Sequence, residues 1–212
     1  GEHARYPSLR ALAAHYADLI LQMQPDGPHH LLGWSTGGIL AQEIACQLQA
    51  RHARVGVVCL LDAYPADAGR DRAPAEAHDV WRAILHIAGQ DPDVLAADGP
   101  LTRERVIGFL RAQKHPLGEL TDAQLHGIFE AVAASNTLVK AHPHQRYDGE
   151  LLYFRAALDH VGENLHPDMW APWAESLAVH DVPSLHAHMP GEAALAHWLP
   201  VLEEALAGKE RG

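Results

Sequence analysis

Six residues, Gly33-Trp34-Ser35-Thr36-Gly37-Gly38, join two stretches of opposite character. Ahead of them lies a short run, His29 to Gly33. Behind them Ile39 to Leu48 has helical composition and no breaker. A turn of small residues between a strand and a helix fixes the local path as strand, sharp turn, helix. After Arg51 to Arg54, the run Val55 to Leu61 is β-branched and apolar on both faces, which suits a central parallel strand covered by helices. Residues 29–61 are therefore expected to form a βαβ unit, and the chain to belong to the α/β class.

The flanking segments extend that reading. Leu9 to Met23 carries apolar residues at spacings of three and four, the stripe of an amphipathic helix, stopped by Pro25 to Pro28. From Ala66 to Lys140 no strand-like run occurs, but helix-like stretches span Glu76 to Ala88, Thr102 to Gln113 and Thr121 to Val139. Thr121 and Gln124 have capping-box spacing. A helical insertion at 66–140 is longer than an ordinary connection, and insertions of that kind cover something. Strand patterns return at Glu150 to Phe154 and Ser176 to Val182, and a final amphipathic helix spans Glu192 to Ala207.

Composition excludes several function classes. The chain has 16 Lys plus Arg against 27 Asp plus Glu, a formal charge of -11, so no nucleic-acid or anionic-membrane footprint is expected. Cys46 and Cys59 both lie in apolar stretches and read as reduced core residues of a cytoplasmic protein. The longest apolar run, Val57 to Leu61, is far short of a membrane span, and the first residues lack a signal-peptide layout.

The segment Gly33 to Gly38, placed between strand and helix, is a nucleophile-elbow pattern with Ser35 at its apex. Gly33 and Gly37 are expected to be required because a Cβ at either would collide with neighbouring backbone. The helix beginning just beyond Ser35 directs its N-terminal dipole toward negative charge on Ser35. A serine hydroxyl needs a base and an acid that orients the base, and in α/β-hydrolases the order is Ser, acid, His. Asp62 and Asp159 both follow strands, and strand ends alone leave the choice open. His186 and His188 lie between the last strand and the last helix, and one of them is the expected base. The other histidines of the 17 are expected on solvated faces. His142 with His144 could suggest a metal, but no familiar ligand spacing completes a set, so no metal is expected.

The runs Gln24 to Gly38, Leu60-Leu61-Asp62-Ala63-Tyr64-Pro65 and Trp170-Ala171-Pro172-Trp173 leading to His186 resemble the thioesterase domains of nonribosomal peptide synthetases, members of the α/β-hydrolase superfamily. The likeness spans about Leu9 to Leu206. It implies a mostly parallel sheet with a helical lid at 66–140, Asp62 as the acid with Asp159 as runner-up, His186 as the base, and the Thr36 N–H as an oxyanion donor. It further implies release of an acyl or peptidyl chain from the 4'-phosphopantetheine thiol of a carrier domain, by hydrolysis or cyclisation, with no cofactor bound directly. A discrete editing thioesterase and a non-catalytic carrier-docking remnant are the alternatives. Members of the family carry strands ahead of the helix that begins here near Leu9, and a loop there donates the other oxyanion N–H. Residues 1–212 are thus expected to be one domain, a fragment of a longer synthetase with its carrier domain upstream, having an uncovered sheet edge and weakened activity.

Overall fold

The computed structural model describes residues 6–69, 77–159 and 165–210. The chain divides into two compact units, one of residues 1–71 with 138–212 and one of residues 72–137.

The first unit is built on four parallel strands in the order β1-β2-β3-β4: β1 (His29–Trp34), β2 (Val55–Leu61), β3 (Tyr147–Ala156) and β4 (Ala174–Val182). Helices α1 (Leu9–Met23) and α2 (Thr36–Ala50) pack on one face. Ala13 and Ala17 of α1 meet Ile44 and Leu48 of α2, while Ile39, Ala41 and Ala45 of α2 join Val58, Leu60, Leu151 and Tyr153 of the sheet. The last helix, α7 (Glu192–Glu210), covers the other face through Ala194 and Trp198 against Val57, Cys59, Leu61, Phe154 and Val182. The strict alternation within β2 explains why its sequence reads as apolar on both sides: Val58 and Leu60 serve one layer, Val57, Cys59 and Leu61 the other.

The register sets the site. Trp34 pairs with Leu61, Leu61 with Phe154, and Ala156 with Val182, so the carboxyl ends of the strands fall close together. Main-chain bonds run beyond them: Ser35 N–H donates to Leu61 O (3.0 Å), Asp62 N–H to Phe154 O (2.8 Å) and Ala157 N–H to Val182 O (2.9 Å). The residue after each of β1, β2 and β3 is held by the neighbouring strand.

The second unit holds α3 (Ala77–Ile87), α4 (Pro92–Ala96), α5 (Arg103–Ala112) and most of α6 (Asp122–Lys140) around its own core of Val80, Trp81, Ile84, Leu85, Val106 and Leu110. Glu76, the expected start of its first helix, lies outside the described residues. The expected capping box is present: Thr121 N–H donates to Gln124 Oε1 (2.9 Å) and Gln124 N–H to Thr121 Oγ1 (3.4 Å). The short α4, capped by Asp91, adds a helix to the three expected. A cavity of about 390 Å³ in this unit is lined by Trp81, Arg103, Asp122, Leu125, His126 and Phe129. Among the described residues no helix is long and apolar enough to cross a membrane.

Burial corrects one expectation. His29, His142 and His144 are buried, not solvated. A neutral imidazole offers one donor and one acceptor, and His144 uses both: Nε2 accepts from Ala66 N–H (2.8 Å) and Nδ1 faces Gln42 Oε1 (3.3 Å). His142 pairs with the buried Glu43 of α2 at 3.4 Å. Burial also pushes the free thiols of Cys46 and Cys59 up to about 12, which keeps them protonated and unreactive.

Candidate active site

The turn between β1 and α2 places Ser35 at φ 55° and ψ -127°, a conformation that L residues avoid. The turn is tight because Gly33 and Gly38 permit close approach: a Cβ at Gly33 would lie 2.2 Å from Gly37 O, and one at Gly38 would lie 2.3 Å from Ala63 Cβ. Gly37 departs from expectation, since among the described residues nothing lies within 4 Å of a Cβ placed there. The tight contact on the helix side falls one residue later, where α2 passes the segment after β2. Ser35 occupies the N-cap position of α2, yet its hydroxyl makes no capping bond. It is directed to His186 instead, with Oγ 3.1 Å from Nε2.

His186 opens a short 3-10 turn, His186–His188, after β4. Its Nδ1 lies 2.7 Å from Asp62 Oδ2. A carboxylate accepting at Nδ1–H favours the tautomer that presents Nε2 as the acceptor toward the Ser35 hydroxyl. His188 is exposed and stands apart from this arrangement. Asp62 follows β2 at φ 45°, is 1% exposed, and has its second oxygen occupied as well. Oδ1 accepts from Ala156 N–H (3.1 Å) and from the Tyr64 hydroxyl (3.3 Å). Burial, and next the Asp62 charge, push the Tyr64 phenol upward, so it stays protonated as a donor. The bonds to Oδ1 fix the carboxylate with Oδ2 toward the imidazole.

Asp159, the runner-up acid, meets the same histidine at a different atom: its Oδ2 accepts the His186 backbone N–H at 2.8 Å. Thr36 supplies the first N–H of α2, and the leading N–H groups of a helix have no intrahelical partner. Sequence reasoning assigned no role to Trp34, whose Nε1–H donates to the His186 carbonyl (3.0 Å) and whose ring lies 5.3 Å from the imidazole. Nothing in its position beside Ser35 signals a contact with a residue 152 positions away. Among the described residues no group of three or more His, Cys, Asp or Glu is placed to hold a metal ion. His142 and His144 are engaged as described above. The arrangement can deprotonate a serine hydroxyl and stabilise the imidazolium that results.

Residues 1–197 match the thioesterase domain family. The chain belongs to that family. Similar proteins include the dimodular nonribosomal peptide synthase of Bacillus subtilis (strain 168), 31% identical over 175 residues that make up 82% of this chain and 7% of that protein. Enterobactin synthase component F of Escherichia coli O157:H7 is 31% identical over 194 residues, 91% of this chain and 14% of that protein. This thioesterase domain therefore spans a small fraction of the length of the relatives it matches. Among solved structures, the NocB thioesterase domain in covalent complex with a fluorophosphonate nocardicin G analogue superposes with a TM-score of 0.62 at 21% identity, covering 97% of this chain and 77% of that one. At that identity the likeness is one of fold, the α/β-hydrolase fold.

Proposed function

We propose that this thioesterase domain releases an acyl or peptidyl chain from the phosphopantetheine thiol of a carrier domain in the cytoplasm, with Ser35 as nucleophile, His186 as general base and acid, and Asp62 as the orienting carboxylate. Ser35 Oγ attacks the thioester carbonyl while His186 Nε2 takes its proton. The Thr36 N–H, aided by the α2 N-terminus, stabilises the oxyanion. Collapse breaks the C–S bond and His186 returns the proton to the leaving thiolate, leaving acyl-Ser35. Water or a nucleophile within the chain, deprotonated by the same imidazole, then takes the acyl group from the serine.

The observation that carries this reading is the continuous line Ser35 Oγ, His186 Nε2, His186 Nδ1, Asp62 Oδ2, with steps of 3.1 and 2.7 Å. Family membership supports thioester chemistry, and the likeness to a dimodular nonribosomal peptide synthase supports a carrier as the donor. In this reading the carrier domain lies in the same polypeptide. The test is to load acyl groups of short and long chain on a carrier pantetheine thiol and, separately, on free pantetheine. Faster release from the carrier, lost in Ser35→Ala, is the expected outcome. Equal rates on both would argue against carrier recognition, and release confined to short acyl groups would favour an editing enzyme.

A further inference from the structure

His186 is held at more places than a catalytic base requires for its proton transfers. Its backbone N–H opens a 3-10 turn, where the leading N–H groups lack a partner within the turn, and the residue is buried. The Asp159 side chain accepts that N–H through Oδ2 at 2.8 Å. On the other side of the same residue, the His186 carbonyl accepts from the Trp34 indole N–H at 3.0 Å, and the indole lies against the imidazole at a tilt of 34°. Asp159 belongs to the turn that begins at Ala156: Asp159 N–H donates to Ala156 O (3.2 Å), and Ala156 N–H donates to Asp62 Oδ1 (3.1 Å). The start of one four-residue turn therefore holds the carboxylate, and its end holds the histidine that the carboxylate orients.

From this geometry we infer that Asp159 is a positioning residue for His186, and that Asp159 and Trp34 form a two-point clamp on the backbone of the base. The inference rests on the proposed roles of Ser35, Asp62 and His186. With its N–H and C=O both bonded, the indole beside its ring and Nδ1 bound to Asp62, His186 is directed with Nε2 toward Ser35. Asp159 acts through position and not as the carboxylate of the triad. Its useful property is an acceptor oxygen at that point, which an amide also provides.

Steady-state hydrolysis of S-butyryl pantetheine by the folded 212-residue chain separates the possibilities. Asp159→Ala should lower kcat by about 10- to 100-fold, the scale of a misplaced catalytic group, with KM nearly unchanged. Asp159→Asn should recover most of that loss. Trp34→Phe, which keeps a ring against the imidazole but lacks the N–H, should lower kcat in the same way, and the double variant should lose less than the product of the two single losses because both act on one residue. An Asp159→Ala enzyme with wild-type kcat, or an Asn variant as impaired as Ala, overturns the clamp. So does a loss that merely tracks the folded fraction measured by circular dichroism. Fluorophosphonate labelling of Ser35→Ala in the same series keeps the premise distinct: an adduct that survives there condemns the nucleophile assignment, and the clamp with it, whatever the Asp159 variants do.

Discussion

Two carboxylates at the ends of neighbouring strands meet one histidine, Asp62 through the ring and Asp159 through the backbone. The ring contact is the one that sets a tautomer. Loss of such a carboxylate to the amide costs about 10⁴-fold in turnover, so Asp62→Asn should fall by that order while Asp159→Asn stays close to wild type. Steady-state kcat of the two variants checks this, and the reverse ranking would move the acid to the other strand end. Ser35 was legible because its setting is local: a strand, a turn of small residues and a helix. Asp62 and His186 could be narrowed to pairs of candidates, since strand ends and the loop before the last helix are recognisable in sequence. The choice within each pair needed either family resemblance or tertiary contacts. Trp34 and Gly38 were not legible at all, because what matters about them is a touch on residues far along the chain, His186 for one and Ala63 for the other.

At the scale of elements, periodicity carried most of the fold: α1 and β2 fall on Leu9–Met23 and Val55–Leu61 as their patterns indicate. The start of β3 was missed because Tyr147-Asp148-Gly149 shows no alternation and the register shifts there, and α4 is too short to show a period. The polar face of α2 was also hidden. Glu43 lies fully buried against His142 (3.4 Å) and Arg10 (3.4 Å), and accepts from Gln47 (2.8 Å). Burial alone would raise its carboxyl, but the bonds from His142 and Gln47 and the charges of His142 and Arg10 outweigh that and hold it below the ordinary value. A depressed folded pKa stabilises the fold above the unfolded value of about 4.3, and the contribution is lost as pH falls through the folded value. Urea denaturation at stepped pH should therefore show Glu43→Gln less stable than wild type at pH 7, with the gap closing at acid pH. A gap independent of pH would mean that the charge of Glu43 adds nothing.

Across the molecule, the described sheet ends at β1 on one side, and Leu32 of that strand is 49% exposed. An uncovered edge strand with an apolar side chain favours self-association, and a lysine there opposes it. The 212-residue chain is expected to self-associate with rising concentration in sedimentation velocity, and Leu32→Lys to raise the monomer fraction without altering the circular dichroism. A wild-type chain monomeric throughout would show that this edge is not adhesive. The sheet nevertheless brings Ser35, Asp62 and His186 together from positions up to 151 residues apart, and the central claim is that they pass an acyl group through the serine. Mass spectrometry of the peptide containing Ser35, after brief incubation with an acyl-loaded carrier and acid quench, tests it most directly. An added acyl mass on Ser35 is expected in the wild-type chain, with accumulation in a variant slowed in deacylation and none in Ser35→Ala. Release of the acyl group by Ser35→Ala at the wild-type rate, with no adduct on any form, would contradict it.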